Sequence, residues 1–68
     1  MDIGKFIKEA RIDMGLSQEE LAEKSKCQRQ HINRIENGKT DPKYNDVVKI
    51  LEVLGYKTKH LKTTKETD

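Results

Sequence analysis

The stretch from Ser17 to Gly38 constrains the chain most, because it reads as two short helices joined by a tight turn. Ser17, with Glu20 three residues on, is a capping-box pattern whose hydroxyl suits a free amide at a helix start. A helix is therefore predicted from Gln18 to about Ser25. Leu21 and Ala22 face inward, and the small Ala22 lets the next helix approach closely. On a helical wheel, Arg29, Gln30, Asn33, Arg34 and Asn37 then fall within one arc of about 140°, while Ile32 and Ile35 lie together opposite. Arg, Gln and Asn are the side chains that pair bidentately with guanine and adenine edges in the major groove. A merely solvated face would more usually carry Glu, Lys and Ala. The pattern predicts a helix anchored by its isoleucines, with a polar ridge facing DNA.

The flanking segments complete a small helical protein. Ile3, Phe6, Ile7, Ala10 and Met14 repeat at the spacing of one helical face, so residues 2–14 are predicted as a first helix, stopped by Gly15. Leu16 then returns to the core, and Ile12 falls off the stripe. Asn37 and Gly38 end the third helix with residues suited to positive φ. The loop from Lys39 to Lys43 is polar and basic. Tyr44, Val47, Val48, Leu51 and Leu54 restore helical periodicity up to Gly55, and Ile50 and Val53 lie off that stripe as surplus apolar surface, of the kind that marks a subunit interface or a broad buried face. Residues 57–68 hold four lysines, with no pattern for a fifth helix. They read as a basic tail, unstructured or with Tyr56 and Thr58 in a short edge strand that pairs across a dimer.

Gly15-Leu16-Ser17-Gln18-Glu19-Glu20-Leu21-Ala22, then Ile32-x-Arg34-Ile35-Glu36-Asn37-Gly38, then Thr40-Asp41-Pro42 resemble the signature of the Cro/CI-type (XRE) helix-turn-helix family. The likeness runs from about Gly4 to Gly55. It implies an all-α fold, a compact lambda-repressor-like bundle of four to five helices with a short C-terminal tail, the DNA-binding domain occupying residues 1–56. It also implies that Gln18 holds the DNA backbone, in keeping with its place in the first turn of a helix, where amide hydrogens and the dipole attract a phosphate. Asn37, Lys39, Thr40 and Lys43 form a second phosphate clamp, and Gln28 is counted with these contacts. Glu36 pairs with Arg11, a structural tie between helices one and three. Three residues depart from the family pattern. Lys26 stands where the turn glycine is usual and must take positive φ, Ser25 replaces an apolar residue, and Gln28 replaces a capping serine.

Size and charge bound the function. A chain of 68 residues, 32% hydrophobic and 38% charged, is one domain with a small core and no room for an enzyme-sized cleft. No run approaches the roughly 20 apolar residues of a membrane span, so a cytoplasmic protein is expected. The net charge is only +2, but Arg29, Arg34, Lys39 and Lys43 outnumber Glu36 and Asp41 around the reading face. The lone Cys27 follows the turn and reads as a small core residue rather than a redox centre. His31 lies on the flank of the reading arc, within reach of a phosphate or base, and is equally well accounted for as a surface histidine. Neither His31 nor His60 has a partner at metal-ligand spacing, and no catalytic constellation is evident, so no enzyme, metal or cofactor is implied. Arg29, Gln30, Asn33 and Arg34 are the candidate base-contacting residues. The expected function is a sequence-specific transcriptional regulator, a homodimeric repressor on a palindromic operator in double-stranded DNA. The alternative is an antitoxin that binds a protein toxin and regulates its own operon, since Leu54-Gly55-Tyr56 after helix four resembles antitoxins of the kinase-toxin type.

Overall fold

The computed structural model describes residues 2–56. The tail read at 57–68, unstructured or as a dimer strand, lies outside the described residues. Four helices follow one another: α1 (Ile3–Asp13), α2 (Gln18–Ser25), α3 (Arg29–Glu36) and α4 (Tyr44–Val53). There is no strand among the described residues, and none of these helices is long and apolar enough to cross a membrane. The all-α bundle is as the sequence predicts, at the lower of the two helix counts.

Local chemistry sets each boundary. Asp2 caps α1 by accepting from the Lys5 amide at 3.2 Å, and Gly15 at φ +72° turns the chain so that the Leu16 amide bonds back to the Arg11 carbonyl. Both halves of the capping box form at α2. Ser17 Oγ accepts from the Glu20 amide at 3.0 Å, and Glu20 Oε1 accepts from the Ser17 amide at 2.8 Å. At the turn into α3, Lys26 takes the left-handed conformation, φ 60° and ψ 38°. A Cβ there is strained, so Lys26→Gly is expected to stabilise the domain by about 0.5–1 kcal/mol despite glycine's larger entropy loss on folding. Urea denaturation checks this; a lower midpoint would show that the turn carries no such strain. The polar Ser25 is accommodated in its apolar slot because its hydroxyl donates to the Leu21 carbonyl at 2.7 Å. Half-buried Cys27 packs against the core as expected.

Ile7, Leu21, Ile32, Ile35 and Ile50 are fully buried, joined by Ala10, Ala22 and Leu54. Helices α2 and α3 pack on each other at the centre, with α1 packed on α3 and α4 packed on α2. Two expectations are corrected. Met14 is half exposed, because α1 ends at Asp13 and Leu16 fills the core at that level instead. In α4 the buried face is broader than the predicted stripe and shifted from its start: Leu54 is buried and Leu51 packs on the core as predicted, but Ile50 is fully buried and Val53 also packs on the core, whereas Tyr44 is 61% exposed and Val47 and Val48 are half-buried. This helix is apolar over more than half its circumference, so periodicity alone could not select the face that meets α2.

Candidate nucleic-acid interface

Helix α3 turns Ile32 and Ile35 into the core and leaves Arg29, Gln30, Asn33, Arg34 and Asn37 exposed on the outer side. Arg29, Gln30 and Asn33 line one shallow concavity. All four predicted base-contacting residues therefore stand on the solvent face of a helix whose opposite face is anchored. Gln28 occupies the N-cap position of α3 with an exposed side chain that makes no capping bond. The first amides of α3 thus have no side-chain acceptor at the cap, an arrangement that suits an anion.

The phosphate-clamp candidates flank this ridge. Asn37 caps α3, and Gly38, at φ +71°, reverses the chain with its amide donating to the Ile35 carbonyl. The Lys39 amide donates to the Arg34 carbonyl at 2.9 Å, which fixes the start of the basic loop beside the end of the ridge. Lys39 and Lys43 are exposed and Thr40 is half-buried. On the other flank, Gln18 is the first residue of α2 and is half-buried.

Behind the ridge lies the predicted ion pair. Arg11 Nε donates to Glu36 Oε2 at 2.7 Å and Nη2 to Oε1 at 3.0 Å, a two-pronged contact with side chains 11% and 1% exposed. Arg11 Nη1 also donates to the Leu16 carbonyl at 2.8 Å, tying the α1–α2 turn to the same point. The pair is also connected to the exposed ridge of α3 through side chains. Gln18 Nε2 donates to Glu36 Oε1 at 3.1 Å, Asn33 Nδ2 donates to Gln18 Oε1 at 3.2 Å, and Asn37 Nδ2 donates to Asn33 Oδ1 at 3.2 Å. The wheel could not show this, because it places residues of one helix and Gln18 belongs to another.

His31 is corrected in its surroundings. Its Nε2 lies 3.1 Å from Asp46 Oδ2 of α4, and Lys49 approaches the other oxygen of Asp46 at 3.8 Å. It braces α3 against α4 from the side rather than joining the exposed ridge. Among the described residues, no group of three or more His, Cys, Asp or Glu is disposed to hold a metal ion.

Comparison with known proteins agrees with this geometry. The chain is similar in fold to the clp gene regulator ClgR from Corynebacterium glutamicum, with a TM-score of 0.79 and 23% identity, over 82% of this chain and 60% of that one. It is also similar to a chain of the SinR protein/SinI protein complex, with a TM-score of 0.76 and 34% identity, over 81% of this chain and 54% of that one. The chain thus spans little more than half the length of either. No curated protein matches it. The helix-turn-helix family matches residues 7–61, from within α1 to beyond α4. With that span and the α2–turn–α3 geometry in place, the chain belongs to the helix-turn-helix family, of the Cro/CI (XRE) type.

Proposed function

We propose that the protein is a sequence-specific DNA-binding transcriptional regulator that acts as a dimeric repressor on a palindromic operator. The observation that carries this reading is the exposed ridge of Arg29, Gln30, Asn33 and Arg34 on a helix held from behind by Ile32 and Ile35. The N-terminal part of such a helix docks against base edges, which makes Arg29 and Gln30 the deepest contacts. Gln18, Gln28, Asn37, Lys39, Thr40 and Lys43 grip the sugar-phosphate backbone on either side and set the register. One eight-residue helix reads only a few base pairs, so useful specificity requires a second half-site, about one helical turn away, read by a second copy. The half-buried Val48 with exposed Tyr44 on α4, and the Phe6 and Tyr56 rings, tilted at 56° with centroids 5.1 Å apart, offer apolar surface for that copy. Binding across a promoter represses by occlusion.

Selection from genomic fragments, read at two salt concentrations, tests the reading and returns the half-site spacing. Arg29→Ala is expected to weaken operator binding by about 1–3 kcal/mol and to relax preference at one position, while Lys39→Ala weakens operator and random DNA alike. Equal losses on both DNAs from Arg29→Ala would remove it from the readout.

A second reading, an antitoxin that binds a protein toxin and regulates its own operon, is favoured by one observation. The SinR chain was solved in complex with a protein partner, SinI. Co-purification of a stoichiometric second chain encoded next to the gene separates it from a free-standing repressor.

A further inference from the structure

We propose that Asn33 reads an adenine, and that the buried Arg11–Glu36 pair imposes this choice through Gln18. The inference rests on the DNA-reading function proposed above and deepens it, because it names the base and the residues that set it.

The argument is one of donors and acceptors. The Arg11 guanidinium only donates, so both oxygens of Glu36 act as acceptors towards it. Glu36 Oε1 therefore also meets Gln18 as an acceptor, and Gln18 must turn its amide nitrogen inward, at 3.1 Å. Flipping that amide would set two oxygens against each other beside a buried charge, with no donor between them. With its nitrogen fixed inward, Gln18 presents its oxygen outward, and Asn33 must answer with its own nitrogen at 3.2 Å. The oxygen of Asn33 then faces the other way and accepts from Asn37 at 3.2 Å. The orientation of three exposed or half-buried amides is thus dictated by one buried charge, where an isolated surface amide would flip freely.

Asn33 starts with two N–H donors and two acceptor lone pairs. Gln18 takes one donor and Asn37 takes one lone pair, which leaves one of each for the duplex. Adenine presents N7 as an acceptor and its N6 amine as a donor, and so matches that remainder bidentately. Guanine presents two acceptors, N7 and O6, and would need the donor already given to Gln18. In this scheme Gln18 is a positioning residue for Asn33 as well as a phosphate contact.

The test uses the whole chain and a base-preference profile measured across the selected half-site for wild type, Asn33→Ala and Gln18→Met. The position read by Asn33 is the one at which Asn33→Ala flattens the profile. The wild type is expected to favour adenine there by about tenfold or more, and Gln18→Met to reduce that preference at least about threefold. The profile at the Arg29 position should not move, and the melting temperature should stay within a few degrees of wild type. Loss of a Gln18–phosphate contact lowers affinity for every sequence equally and leaves the preference ratio untouched, so the ratio isolates the positioning effect. An unchanged adenine ratio in Gln18→Met, with Asn33→Ala still flattening the profile, overturns the role of Gln18 and leaves base reading intact. A guanine preference at that position overturns the assignment of adenine. If Asn33→Ala and Arg29→Ala both leave the profile unchanged, base reading by α3 fails and this inference fails with it.

Discussion

Glu36→Ala is expected to destabilise the domain by about 3 kcal/mol or more, the usual result of removing one partner from a buried ion pair. The size of the effect follows from burial. With side chains 11% and 1% exposed, the Arg11–Glu36 pair is out of reach of the screening that reduces surface pairs to a fraction of a kcal/mol. Alanine leaves the Arg11 guanidinium with the Leu16 carbonyl as its remaining hydrogen-bonded partner and takes from Gln18 the acceptor that orients it. A domain of this size has a stability of only several kcal/mol, so the variant should be largely unfolded near its working temperature. Lys39→Ala, at an exposed loop position, should shift stability by no more than about 0.5 kcal/mol. Chemical denaturation of the two variants side by side makes the comparison, and equal midpoints would remove the tie between α1 and α3. Joint replacement by Arg11→Met and Glu36→Leu should recover much of the loss, because the cost lies in the stranded charge rather than in the pair itself.

Gly4→Ala is the second large effect, a destabilisation of about 2 kcal/mol at a position where helix propensity alone argues for a gain of about 1 kcal/mol. Helix α1 passes so close to α3 that an added methyl overlaps the Ile35 carbonyl oxygen and lies 3.1 Å from its carbon and 3.3 Å from the Glu36 Cα. Those are backbone atoms, and no rotamer change relieves the clash. The helices must part, and Arg11 further along α1 is then drawn away from Glu36. The urea midpoint should fall accordingly. A midpoint equal to or above that of wild type would mean that α1 and α3 do not approach this closely.

These two positions differ in how they are seen in the chain. Arg11 and Glu36 were legible through the family resemblance, which names both ends of a pair 25 residues apart. Gly4 reads only as a poor helix former inside an otherwise good amphipathic pattern. Its reason is a neighbour 31 residues away, and no local pattern contains that neighbour. Lys26 lies between these cases. The need for positive φ was evident from the motif, and the structure supplies φ 60°. His31 could be put on the flank of the ridge but not assigned to Asp46, because its partner sits on a helix whose rotation was unknown.

By itself the sequence determined the features that repeat or cap locally. The four helices and their ends follow from the apolar period, the Ser17–Glu20 box and the glycines at 15, 38 and 55, and the polar ridge of α3 follows from residue choice on a single helix. Only the tertiary structure decided which face of α4 is buried, why residue 4 is glycine, and that Gln18 links a buried charge to Asn33. The physical reason is the same in each case. Propensity and periodicity act between residues a few positions apart, whereas close approach and hydrogen-bond direction are set by atoms that meet only once the helices have packed.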